Sequence, residues 1–334
     1  MMKRVCIITG AAGHLAHTTI ARLRELNMPM RGLIMPGEQG TDDDMIRYYQ
    51  GDVTQPETLE PLFEGLDGAE VTVLHMAAII SIQRKISPRI YDVNVNGTKH
   101  VIAACERHGV HRLIYVSSVH ALPIPDRTST MREIDRFAPE SVDGAYAVTK
   151  AEAAQAVLDA SRLGLNALVL QPSGIVGPGD TGHNHINQLV SMYLRHRLPF
   201  GVRGGYDFVD VRDVVEGIVA AMDKGRAGQC YLLTNRFFSI SELIEYMRMA
   251  TGRACRKPCV PQWAARAAVP FIEGYACIAH KRPIFTRYSL YVLGSNGHFS
   301  HDKATKELDY HPRDMKLTIA DTVAYMRKQL EHGA

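Results

Sequence analysis

Short apolar runs alternate with helical patterns through the first half of this chain. A glycine-rich turn, Thr9-Gly10-Ala11-Ala12-Gly13, stands at the first junction between them. Residues 4–9, 30–35, 47–50, 71–76, 112–117 and 166–171 read as strands; residues 14–26, 56–63, 87–108 and 145–163 carry apolar side chains at helical spacing. Thr54 is placed to cap the second of these helices, with Pro56 in its first turn. Strands that alternate with helices form right-handed βαβ units, and hence a parallel sheet covered on both faces. Runs such as Val71-Thr72-Val73-Leu74 and Leu168-Val169-Leu170 lack the polar alternation of a half-exposed strand, which fits full burial. The expected fold is α/β, a Rossmann-type doubly wound parallel sheet.

After Pro172 the pattern changes. A loop, Gly177-Pro178-Gly179-Asp180-Thr181-Gly182, leads into mostly helical sequence at 185–197, 211–222, 241–250, 263–278, 300–308 and 318–330, with short strand signals at 206–209 and 230–233. This predicts a nucleotide-binding domain over residues 1–172 and a smaller, mostly helical substrate lobe over residues 173–334, some segments of which return to the first domain.

Composition narrows the function. Of the 334 residues 46% are hydrophobic and 22% charged, and the net charge is +3, too small to argue for nucleic acid or an anionic membrane. No apolar run reaches the ~20 residues of a spanning helix, and the run Val5-Cys6-Ile7-Ile8 is too short for a signal peptide. Six scattered cysteines with no Cys-x-x-Cys pair suggest reduced thiols and a cytoplasmic protein.

Two patterns carry chemistry. In Thr9-Gly10-x-x-Gly13-x-x-Ala16 the first glycine permits a tight turn and the second lets backbone approach a pyrophosphate at a helix N-terminus. Downstream, Tyr146 and Lys150 are four apart on a helix and share a face. A phenol titrates near ~10 unaided; a neighbouring ammonium favours phenolate and makes the pair a proton donor and acceptor for hydride transfer at a carbinol carbon.

The motifs run nearly end to end: Thr9-Gly10-Ala11-Ala12-Gly13, Gly51-Asp52-Val53, His75-Met76-Ala77-Ala78, Asn94-Val95-Asn96-Gly97-Thr98, Tyr115-Val116-Ser117-Ser118, Tyr146-x-x-x-Lys150, Gln171-Pro172-Ser173-Gly174-Ile175-Val176-Gly177-Pro178-Gly179 and Phe208-Val209-Asp210-Val211-Arg212-Asp213-Val214. In this order they resemble the extended short-chain dehydrogenases/reductases of the epimerase/dehydratase superfamily, and within it the dihydroflavonol 4-reductase and 3β-hydroxysteroid dehydrogenase-like branch. The resemblance implies that Gly10, Ala12, Gly13, His14 and Leu15 line the cofactor turn, and that Met35 sits at the tip of the second strand. Asp52 would accept from the adenine amino group with Val53 beside the ring. Met76, Ala77 and Ala78 would let the cofactor pass the fourth strand. Ser117 would line the cofactor and Ser118 would hydrogen-bond the substrate oxygen. Tyr146 would be the acid/base, Lys150 would hold the nicotinamide ribose, and Pro172, Ser173, Gly174 and Ile175 would lie by the nicotinamide. Ala16, Met35 and Gln171 depart from the usual Gly, basic residue and Arg; none of them is a catalytic group.

NAD and NADP both stay open. Met35 supplies no cation for a 2′-phosphate and Glu38 would repel one, which weighs toward NAD. His120, His183 and His185 are candidate substrate contacts; no cysteine stands near His183-Asn184-His185 and Asp180 alone does not complete a ligand set, so no metal site is expected. Residues 263–278 form a helix that either packs on the body or covers the substrate. The helices at 87–108 and 145–163 resemble the pair that forms a homodimer interface in these families. The expected function is oxidoreduction between a secondary alcohol and a ketone on a small, fairly apolar molecule. A nucleotide-sugar epimerase or dehydratase, kept open by Arg195, Arg197 and Arg203, and a non-catalytic cofactor-binding scaffold are the alternatives. Against the sugar enzyme, Asp207 stands before Phe208 where that branch commonly has Arg.

Overall fold

The structure is a computed structural model, which describes residues 3–81, 84–124, 126, 128–180, 185–254, 257–278 and 287–331. Its centre is a seven-stranded parallel sheet in the order β10-β6-β5-β4-β1-β2-β3. These strands are β1 (Arg4–Thr9), β2 (Met30–Ile34), β3 (Ile46–Gln50), β4 (Glu70–His75), β5 (Arg112–Val116), β6 (Ala167–Pro172) and β10 (Cys230–Leu233). The strand order reverses between β1 and β4, and a crevice opens beyond the carboxyl ends of strands at such a point.

Helices cover both faces. On one lies α1 (His14–Glu25), which buries Ala16, Ile20 and Leu23 at i, i+4 and i+7; beside it lies α6 (Val211–Lys224), with Val214, Ile218 and Ala221 inward. The other face holds α3 (Gly97–Arg107) and α4 (Ala145–Arg162). The alanines at 147, 151, 153 and 154 are almost wholly buried, so α4 seats closely on the sheet. The long helix expected over 87–108 is present but not uniform: α2 (Pro88–Tyr91) and α3 are joined by a π-helical turn, Asp92–Asn96. The expected cap Thr54 is not used. The next helix is a 3₁₀ segment, Pro56–Leu62, capped at Gln55 without a side-chain bond, and the Thr54 amide donates instead to the Asp52 carboxylate.

Beyond Pro172 the chain forms β7 (Gly174–Val176), α5 (His185–Leu194), β8 (Gly201–Val202), β9 (Gly205–Asp210), β11 (Arg236–Ser239), α7 (Ile240–Thr251), β12 (Cys259–Val260), α8 (Gln262–Ile278), α9 (Arg287–Gly294), α10 (Asp302–Leu308) and α11 (Met315–Glu331). β7, β9 and β11 make a small sheet in the order β11-β9-β7, and β8 pairs with β12. This half shares its core with the first: Leu189, Ile244, Met247, Ile319 and Val323 belong to the same cluster as Val101, Cys105 and Val157. β10 pairs in parallel with β6, and α6 packs on the central sheet beside α1. The start of α8 packs inward, with Ala265 and Val269 against Val202 and Leu290, while Trp263 faces solvent.

Candidate active site

The reversal point is built from β1 and β4. Gly10 ends the first strand with φ +69°, and a Cβ there would lie 2.9 Å from the Ala77 Cα, so the turn and the segment after β4 touch backbone to backbone. At Gly13 a Cβ would meet only the Gly10 carbonyl, at 3.2 Å. Gly13 caps α1 without a side-chain bond, and the helix has no acid in its first turn. Its leading amides and positive dipole end are therefore presented to an anion. His14 ties this turn to the second half of the chain through a 2.9 Å bond between its Nε2 and the Pro178 carbonyl.

The floor of the site is a closed polar network. The Thr9 hydroxyl accepts the amides of Met76 and Ala77, each at 3.2 Å, so its own proton goes to His75 Nδ1, 2.7 Å away. That fixes His75 with its proton on Nε2, which donates to the Thr98 hydroxyl at 2.9 Å; Thr98 in turn donates to the Asn94 carbonyl at 2.7 Å. Burial pushes the His75 pKa down to about 3, so it stays neutral. Asn94, in the π turn, accepts the Ile79 amide at 2.8 Å and donates to the Ile79 carbonyl at 3.0 Å and the Thr149 hydroxyl at 3.1 Å. One side chain thus fixes both the loop after β4 and the turn of α4 next to Lys150.

Lys150 is buried. Its Nζ donates to the Val116 carbonyl at 2.7 Å and the Tyr115 hydroxyl at 3.1 Å, and lies 4.6 Å from the centre of the Tyr115 ring. Burial lowers its pKa to about 7. The Ser117 hydroxyl donates to the Lys150 carbonyl at 3.4 Å, which docks α4 on the end of β5. Ser118 begins a 3₁₀ turn, Val119–Ala121, where its Oγ accepts the His120 amide at 3.2 Å; that leaves its own proton to donate. His120 is half-buried, and its pKa is pushed down to about 4 by burial. Its ring stacks on Tyr206, 5.5 Å between centres, and meets the Tyr146 ring edge-on at 6.1 Å. Tyr206 also contacts Phe208 and Phe299 edge-to-face. Ser118, His120 and Tyr146 therefore come together beside an aromatic wall.

Val53 is buried; Asp52, also largely buried, accepts the Thr54 amide and lies 3.6 Å from Arg89. Met35 follows β2, and its amide donates to the Glu38 carboxylate at 2.8 Å, so an acid does stand at the strand tip. Ser173, Gly174 and Ile175 enter β7. His185 opens α5, and His183 lies outside the described residues. Among the described residues no cluster of His, Cys, Asp or Glu could hold a metal, and no helix is long and apolar enough to cross a membrane. Sequence reasoning missed Tyr115, Thr9 and Thr149 as supports and Tyr206 as a wall. Their only signal was position, inside or next to the quoted motifs.

Residues 6–234 match the model of the family described as NAD dependent epimerase/dehydratase. The chain belongs to that family. "Sterol demethylase protein B" of Methylococcus capsulatus is 26% identical over 329 residues, covering 97% of this chain and 98% of its own. "3beta-hydroxysteroid-dehydrogenase/decarboxylase isoform 1" of Arabidopsis thaliana is 29% identical over 367 residues, covering 98% and 81%. Among solved structures, that of gox2253 superimposes with a TM-score of 0.80 at 28% identity, covering 98% of each chain. The epimerase/dehydratase member described here is thus an oxidoreductase of an NAD-dependent family. Its own geometry fits the dinucleotide on two counts, the glycine cradle between Gly10 and Ala77 and the uncapped, acid-free start of α1.

Proposed function

We propose that this enzyme interconverts a secondary alcohol and a ketone on a small, fairly apolar substrate, with NAD as its cofactor. The observation that carries the reading is the meeting of Ser118, His120 and Tyr146 against the Tyr206, Phe208 and Phe299 wall, with Lys150 one turn on from Tyr146 in α4 and bonded to the end of β5. When bound, NAD supplies the hydride acceptor. The α1 N-terminus and Gly13 would hold its pyrophosphate, Glu38 its adenosine ribose, Asp52 and Val53 its adenine, Ala77 and Ala78 its path over β4, and residues 172–175 its nicotinamide end.

On the substrate side, Ser118 donates to the substrate oxygen and Tyr146 exchanges that oxygen's proton. Such acid–base transfer contributes typically ~10²–10⁴-fold in rate. Lys150, when protonated, holds the ribose and stabilises phenolate at Tyr146. Its pKa of about 7 makes its charge at neutral pH responsive to what binds beside it. His120 stays neutral and lines the substrate. Residues 173–334 supply most of the substrate pocket, and α3 with α4 the surface for a homodimer. The sterol and hydroxysteroid names of the two relatives accord with an apolar substrate.

The epimerase alternative asks for cations to hold a sugar diphosphate. Arg195, Arg197 and Arg203 are exposed, and the β9 residues nearest the site, Tyr206, Asp207 and Phe208, are buried and offer no cation. The deciding experiment gives the purified protein NAD with a panel of hydroxysteroids and smaller secondary alcohols, following absorbance at 340 nm, and in parallel UDP-glucose, following epimerisation. Turnover of the sugar nucleotide alone would overturn the proposal.

A further inference from the structure

The small sheet holds a carboxylate that the acid–base machinery does not use. Asp207, within β9, is fully buried. Its Oδ1 accepts the Ser173 hydroxyl at 2.5 Å and the Asn235 amide at 3.0 Å, while Oδ2 is buried with no hydrogen-bond partner among the described residues. No ion pair neutralises it among the described residues. Arg236, whose charge acts on it, lies over the Phe238 ring and pairs with Glu242 at 2.6 Å. Burial raises the Asp207 pKa to about 7 against the pull of both hydrogen bonds and of Arg236. A buried acid with one oxygen unsatisfied stabilises a fold less than an apolar residue of the same size would. Its contribution therefore lies in geometry.

That geometry is specific. Ser173 is the single residue between β6 and β7, where the wall of the crevice passes from the large sheet to the small one. Just before it, β6 is tied to the end of β5: the Ser117 amide donates to the Leu170 carbonyl at 2.7 Å, and the Gln171 side chain donates to the Ser118 carbonyl at 3.3 Å. One carboxylate oxygen thus gathers the β6–β7 junction and the β10–β11 turn, next to the strand end that carries Ser118.

We infer that Asp207 is a positioning residue for the nicotinamide end of the cofactor, acting through Ser173, with the Asn235 amide fixing the carboxylate. The inference rests on the proposed placement of residues 172–175 beside the nicotinamide. In its ionised form Asp207 holds the Ser173 hydroxyl more tightly than a neutral acceptor would, so the junction backbone is fixed before the ring arrives.

The test uses the full chain and two ligands, NADH and ADP-ribose, which lacks the nicotinamide. Ser173→Ala is expected to weaken NADH about tenfold by fluorescence titration, ADP-ribose by less than twofold by calorimetry, and to leave the melting temperature within a few degrees. Asp207→Asn keeps the acceptor without its charge and should weaken NADH by roughly threefold, and by nothing further once Ser173 is Ala. Ser173→Thr, which keeps a hydroxyl, should restore NADH binding. Equal losses for both ligands, or none for NADH, would overturn the inference while leaving the cofactor assignment standing. A wild-type protein that binds neither ligand would remove the assignment itself, and the inference with it.

Discussion

The Lys150 ammonium donates to the Val116 carbonyl at 2.7 Å, which fastens the second turn of α4 to the end of β5. The bond joins residues 34 apart in sequence inside the core, and it makes the folded protein sensitive to pH. Burial lowers the Lys150 pKa to about 7, whereas an unfolded lysine keeps its proton up to about 10.4. Between those values the unfolded chain binds more protons than the folded one, so this group's contribution rises with pH; below about pH 7 both states are charged and the penalty of burial is complete. In Lys150→Met the difference in melting temperature from wild type, measured from about pH 6 to pH 10, should shift toward wild type as pH rises. A constant difference refutes the buried-charge account.

Tyr146→Phe deletes one hydroxyl and keeps the edge contact with His120. Turnover of an accepted alcohol should fall by about 10²–10⁴-fold with cofactor binding retained. Full activity in this variant would refute the proposed mechanism, whatever the substrate.

The two glycines of the first turn should fail differently. Gly13→Val places a Cβ whose one neighbour within 4 Å is the Gly10 carbonyl, so circular dichroism should be unchanged while NADH fluorescence enhancement is lost. Gly10→Ala forces φ +69° on a residue with a Cβ 2.9 Å from Ala77, and should lower the melting temperature as well.

Glu38 lends the β2 tip a negative charge through its bond to Met35. Glu38→Gln keeps an acceptor and removes the charge. Relief of one like-charge contact near 4 Å in a watery setting is about 1 kcal/mol, roughly fivefold. The ratio of NADP to NAD affinity should rise by about that much; an unchanged ratio would mean that Glu38 does not face the ribose.

Most of the sheet is legible in the sequence because burial on both faces leaves continuous apolar runs, as in β4 and β6. The turn at Gly10 and the Tyr146–Lys150 spacing are local patterns and are equally visible. What the sequence does not display is pairing at a distance. Tyr115 is an ordinary strand aromatic until Lys150, 35 residues on, bonds to it. Asp207 reads as one acid beside a strand aromatic, and its tie to Ser173 appears only once β9 lies beside β7. The π turn at Asp92–Asn96 is hidden for a related reason: amphipathic spacing survives a single widened turn, and only the backbone bond from the Gly97 amide to the Asp92 carbonyl, five residues back, reveals it.

β10 comes from late in the chain yet completes the sheet of the first half, pairing Cys230–Leu233 with β6. Anyone recombining relatives to change substrate preference therefore faces a constraint. A crossover after Pro172 would import a foreign seventh strand and α6 along with the new pocket, and the mismatch would lie along an edge strand, where unpaired amides invite aggregation. A graft that keeps residues 205–233 with the host leaves the large sheet and the Tyr206–Phe208 wall native, and the exchanged segments on either side must still match the host core at Leu189, Ile244, Met247, Ile319 and Val323.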